Sequence, residues 1–118
     1  MLDLHVHSSY SDGSETPETL VHLAKAAHVR AIALTDHDNA DGVPEFLAAC
    51  REMELVGIAG IEVSANVDSG TLHILGLGID VADEALRDAL NEVLDGREER
   101  NQRIVTKLQE LGFNISYD

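Results

Sequence analysis

The sequence predicts an α/β fold: parallel strands alternating with helices, then a β-hairpin and a long C-terminal helix. Three observations point there. Residues 2–7 alternate, with Leu2, Leu4 and Val6 on one side and Asp3, His5 and His7 on the other, which is the period of a strand. Two short apolar runs, residues 31–35 and 56–60, each follow a stretch of helical periodicity. A further helical pattern occupies residues 83–111. The order strand, helix, strand, helix, strand implies parallel pairing through right-handed crossovers.

The elements follow in turn. Residues 8–14, rich in Ser, Asp and Gly, form a loop. Thr16 and Pro17 read as an N-cap and a first helical residue. Leu20, Leu23, Ala24 and Ala27 continue at helical spacing, and this helix is expected to carry His22 and His28 in surface or helix-end roles. Residues 31–35 give a short buried strand that breaks at Asp36-His37-Asp38-Asn39. A second helix is expected over about residues 43–53, with Phe46 and Leu47 facing inward. Residues 56–60 give a third strand. Residues 61–65 and 72–77 flank Asp68-Ser69-Gly70 and read as an antiparallel hairpin. In the last helical pattern, Leu86, Leu90 and Leu94 precede Ile104, Leu108 and Leu111. Gly96 interrupts it at a cost of about 1 kcal/mol relative to Ala, so two helices or one bent helix fit. Gly112 is a helix stop, and residues 113–118 are expected to begin another strand.

Composition narrows the function. A length of 118 residues suits one small domain. Asp and Glu total 22 against 8 Lys and Arg, a formal charge of −14, which argues against a long nucleic-acid surface. Bound metal ions would still bring phosphate, because their charge is not counted in composition. Cys50 is the single cysteine, so there is neither a disulfide framework nor a thiolate zinc site. A reducing cytoplasm is the expected compartment. No apolar run approaches the roughly 20 residues of a membrane span, and no signal peptide is evident at the start. Oligomeric state stays open, a homo-oligomer included.

The chemistry lies in the histidines and carboxylates. His5 and His7 share a strand face, with side chains roughly 7 Å apart. Alone, His-x-His is common, and a surface pair is its ordinary reading. The other strand ends change the balance. His7 lies at the carboxyl end of the first strand, Asp36-His37-Asp38 at that of the second, and Glu62 just beyond the third. In parallel α/β folds these ends share one rim, the rim that carries the active site. Separations of 30 residues from His7 to His37 and 25 from His37 to Glu62 fit one strand–helix unit each. Asp12 and His73 are near enough in sequence to join. Six N/O donors without a thiolate fit more than one hard or borderline ion: manganese, iron, zinc or magnesium. Cys50 reads as a small buried apolar side chain. The mixed charges of residues 95–100 read as a solvated helix face, and Asp80, Asp83 and Glu84 as the charged start of the long helix.

These residues resemble the motifs of the PHP family, named for polymerase and histidinol phosphatase. Asp3-Leu4-His5-Val6-His7-Ser8 resembles its first motif, followed by Ser11-Asp12-Gly13 and Thr16-Pro17-Glu18. Thr35-Asp36-His37-Asp38, Gly60-Ile61-Glu62-Val63-Ser64 and His73-Ile74-Leu75-Gly76-Leu77 resemble the next three. Arg100-Asn101-Gln102-Arg103 resembles a helix of the branch of small metal-dependent phosphoesterases, whose activities include a nucleoside bisphosphate phosphatase and an exoribonuclease working from the 5′ end.

The resemblance implies a distorted β/α barrel of about seven strands, with this chain as its N-terminal portion. It implies that His5, His7, Asp12, His37, Glu62 and His73 are metal ligands, with Glu62 bridging two ions. Two to three divalent ions are implied, manganese first. Asp36 and Asp38 would sit behind the ligands or on the substrate side. A carboxylate on the free nitrogen of a ligating His would fix its tautomer. The implied reaction is hydrolysis of a phosphate ester of a nucleotide or RNA 5′ end by a metal-activated water. The alternative is a non-catalytic metal-binding module serving as scaffold. Family members carry further ligands, a histidine and an Asp-x-His pair, on late strands beyond these 118 residues, so the chain is expected to be part of a longer one.

Overall fold

The computed structural model describes residues 1–65, 67 and 69–117. They fall into two units, Met1–Asp83 and residues 84–117. The first unit contains β1 (Leu2–Val6), α1 (Pro17–Ala26), β2 (Ala31–Leu34), α2 (Val43–Glu52), β3 (Val56–Ala65) and β4 (Leu72–Leu77). The strands form one sheet in the order β1-β2-β3-β4. β1 and β2 are parallel, as are β2 and β3, while β3 and β4 are antiparallel. The mixed α/β architecture is thus the expected one.

The helices form where the sequence signals them. Thr16 caps α1 by accepting the Thr19 amide at 3.2 Å, and Pro17 opens the helix. Val21 and Ala24 of α1 and Val43, Phe46, Ala49 and Cys50 of α2 are buried with Ile32 and Leu34 of β2. Leu47 is only partly buried against this core. His28 lies beyond α1, in the left-handed region at φ 58°, rather than on the helix. Its own amide bonds to the Lys25 carbonyl, and the Val29 amide to that of Ala24, so the chain turns off the helix end there.

Two strand expectations change. Residues 56–60 and 61–65 are not separate strands. They form the single ten-residue β3, which pairs with β2 through its first half and with β4 through its second. Gly60 stands at the changeover. A Cβ there would lie 2.8 Å from the Leu34 carbonyl oxygen, so glycine is needed for close approach, not for a turn. In β1 the register shifts between Asp3 and Val6, so its alternation is broken by a bulge next to His5. Asp68 of the expected hairpin turn lies outside the described residues; Gly70 adopts a positive φ of 84°.

The second unit is one helix, α3 (Glu84–Glu110), unbroken at Gly96. It ends as Gly112 predicts. The Phe113 amide reaches the Leu108 carbonyl and the Gly112 amide that of Gln109, with Gly112 at φ 92°. Among the described residues, 113–117 form no strand. Instead the Gln109 side-chain Nε2 donates to the Ile115 carbonyl at 2.8 Å, folding this segment back toward the helix end. No helix among the described residues is long and apolar enough to cross a membrane.

Candidate metal centre

β2 ends at Leu34, but parallel pairing resumes beyond it. The Glu62 amide donates to the Asp36 carbonyl at 3.1 Å, and the Asp38 amide donates to the Glu62 carbonyl at 3.0 Å. These two bonds bracket His37 and set it beside Glu62 as an isolated bridge. Asp38 takes the positive φ of 47° that lets the chain turn away afterwards. It is fully buried, and its Oδ1 accepts the Ser64 amide at 2.8 Å. The backbone that carries His37 and Glu62 is therefore tied down on both sides.

Glu62 is only 6% exposed and lies at the centre of the histidines. Its Oε2 is 3.1 Å from His5 Nε2, 3.0 Å from His7 Nε2 and 3.4 Å from His37 Nδ1. Its Oε1 is 3.4 Å from His73 Nδ1. Asp12 spans the opposite side, with one oxygen 3.2 Å from His7 Nδ1 and the other 3.4 Å from His37 Nε2. Neighbouring rings follow one another, with centroids 5.0 Å apart for His5 and His7, 4.5 Å for His7 and His37, and 5.2 Å for His37 and His73. All six residues read as ligands from the sequence are thus brought together, from β1, the loop after it, the end of β2, β3 and β4.

Burial pushes the Glu62 carboxyl upward in pKa. The His5 hydrogen bond and the nearby His37, His5 and His7 rings outweigh it and hold the group below the ordinary carboxylate range. It is therefore an anion, as a metal ligand must be.

The donor set fits divalent ions. His5, His7 and Glu62 form one group of converging donor atoms, His7, Asp12 and His37 a second, and His37, Glu62 and His73 a third, each within 4.8 Å. Donors at bonds of about 2.1 Å around one ion stand roughly 3.0–3.4 Å apart, the spacing of the carboxylate–imidazole pairs here. His7 Nδ1 and His37 Nδ1 are buried, and although each faces a carboxylate oxygen, neither makes a hydrogen bond with it. Such nitrogens are costly unless something else takes their lone pair.

Residues 3–114 match the PHP domain. The chain belongs to the PHP domain family. It is 38% identical over 117 residues to a 3′,5′-nucleoside bisphosphate phosphatase of Chromobacterium violaceum, covering 99% of this chain and 41% of that one. It is 40% identical over 112 residues to the 5′-3′ exoribonuclease Rnm of Salmonella typhimurium, covering 91% and 37%. A Bifidobacterium adolescentis structure, assigned as a metal-dependent phosphoesterase, superposes with a TM-score of 0.86 at 32% identity, covering 99% of this chain and 41% of that one. The chain spans about two fifths of the length of the curated relatives it matches.

Other expected residues in this PHP domain stand apart from the cluster. Asp36 is 1% exposed, and its hydrogen bonds go to Ser8 and Ser11, not to a histidine ring. His22 is exposed, 3.9 Å from Glu18 one helical turn away, and residues 95–100 are largely exposed on α3. Cys50 is buried and free, and burial raises its thiol to about 11 against the small opposing effect of Arg51. Sequence reasoning missed Ser8 and Ser11, which looked like loop composition. Their signal was position: both precede Asp12 and follow His7.

Proposed function

We propose that this PHP domain belongs to a metal-dependent phosphoesterase that hydrolyses phosphate esters of nucleotides or short RNA ends. The observation that carries it is the set of three overlapping donor groups, joined through His7, His37 and Glu62. His5, His7, Asp12, His37, Glu62 and His73 would hold two to three divalent ions, manganese foremost. When bound, such ions polarise phosphoryl oxygens and lower the pKa of a bound water. The histidines would each contribute one neutral nitrogen lone pair and Glu62 an anionic carboxylate. With 22 acidic and 8 basic residues, attraction for a phosphorylated substrate rests on the bound cations. The nucleotide and RNA chemistry of the two relatives supports this substrate class. Their greater length supports the reading that this domain is the N-terminal portion of a longer chain, with further ligands outside it. The buried free thiol supports a cytoplasmic setting.

The test is phosphate release from a nucleoside 3′,5′-bisphosphate with Mn2+. Release that stops on chelation and with His7→Ala supports the proposal. Activity that survives chelation contradicts it. Metal binding without turnover, in a chain carrying all its strands, favours a scaffold module instead.

A further inference from the structure

We propose that Asp36 is the positioning residue for Asp12: its buried carboxylate ties the loop after β1 to the end of β2 and so sets Asp12 against His7 and His37. The proposal rests on the reading that these three residues hold an ion.

Asp12 has little to hold it directly. Its side chain is largely exposed, and it follows a loop with no regular structure. Yet it meets two rings at once, within 3.4 Å of each. The backbone on either side explains how. Ser8 O accepts the Ser11 amide at 3.0 Å and the Gly13 amide at 2.9 Å, so Asp12 is bracketed by two bonds to one carbonyl. A Cβ on Gly13 would lie 2.3 Å from the His7 carbonyl oxygen, so the loop folds directly onto the end of β1. Ser8 and Ser11 are in turn fixed from below. Asp36 Oδ1 accepts the Ser8 amide at 2.7 Å and the Ser11 hydroxyl at 2.5 Å. Its Oδ2 accepts the Ser8 hydroxyl at 2.6 Å, and that hydroxyl accepts the Tyr10 amide at 3.2 Å. Hydrogen bonds to an ionised carboxylate are the strong ones.

Asp36 itself cannot drift, because its carbonyl receives the Glu62 amide. The same backbone segment thus fixes Glu62 on one side and, through Ser8 and Ser11, Asp12 on the other. Both carboxylate oxygens are occupied by donors, and Asp36 is in none of the three donor groups. It acts through Asp12 and does not touch the ion.

The test has two arms on the 118-residue chain. The first uses metal-free protein and reads amide hydrogen exchange. Asp36→Ala is expected to speed exchange at residues 8–13 on the order of tenfold, with the β2 and β3 amides still protected. The second titrates Mn2+ into wild type, Asp12→Ala, Asp36→Ala and the double variant. Asp36→Ala is expected to weaken binding roughly ten- to hundredfold, the range for residues that orient ligands. The double variant should be no weaker than Asp12→Ala alone, and Asp36→Asn should recover part of the loss. Should Asp36→Ala lose its fold, Ser11→Ala removes one donor only. A smaller loss is expected, again absent in the Asp12→Ala background. Unchanged exchange at residues 8–13, or losses that multiply in the double variant, would overturn the proposal. Wild type that takes up no Mn2+ contradicts the metal reading instead, and the exchange arm still decides whether Asp36 orders the loop.

Discussion

The centre and the edges of the sheet serve the same cluster by different means. At the centre, Ile32, Ala33 and Leu34 of β2 are at most 2% exposed, and Ile32 and Leu34 share one core with residues of α1 and α2. At the far edge, Leu72, Ile74, Leu75 and Leu77 of β4 are 40–54% exposed. His37 and Glu62 are delivered by the centre and are well enclosed, whereas the edge histidines His5 and His73 have side chains 49% and 34% exposed. The core therefore fixes the middle of the cluster and leaves its ends to the edge strands. Placement in the fold, not residue type, decides how enclosed each of these side chains is.

The largest contrast expected is in stability. Phe46→Ala, in the buried core, should cost about 3–5 kcal/mol in chemical denaturation. Leu75→Ala on β4 should cost less than about 1 kcal/mol, because its side chain is already partly in water. Similar losses at both positions would break the distinction between centre and edge.

The next contrast is in metal affinity. His37 belongs to two of the three donor groups and His73 to one. Mn2+ titration should show the greater loss for His37→Ala, on the order of hundredfold against tenfold for His73→Ala. Equal losses would mean that the edge contributes as much as the centre.

A smaller effect separates core from surface by pH. The Cys50 thiol titrates at about 11, above its ordinary 9.0. The folded state thus holds this proton more tightly than the unfolded chain does. That contribution is complete below pH 9.0 and is lost as pH rises toward 11. Wild type should therefore lose stability over this window relative to Cys50→Ala, with thiol labelling slow until the chain opens.

Much of this was legible in the sequence. Strand periods and turn chemistry located α1, α2, β1, β2 and β4 to within a few residues, because local pattern and burial agree there, but split β3 into two strands. His7, His37 and Glu62 were legible because parallel strands bring their carboxyl ends to one rim, whereas Asp12 and His73, on a loop and on the antiparallel β4, were read from nearness in sequence and from the resemblance. What escaped depends on tertiary partners. Gly60 looked like a strand end, yet it is the point where β3 exchanges one neighbour for another. Gly96 looked like a break, but a single exposed glycine costs too little to interrupt a helix of 27 residues. Asp36 was expected behind the ligands or on the substrate side, but its partners, Ser8 and Ser11, were not legible because they lie 28 and 25 residues away.

The most direct measurement is metal content per chain by elemental analysis, on wild type beside Glu62→Ala and Glu62→Gln. Two or more equivalents in wild type, lost in both variants while their folding is retained, is the expected result. Substoichiometric or scattered metal in wild type, or full metal retained without the Glu62 carboxylate, would contradict a metal centre built around that residue.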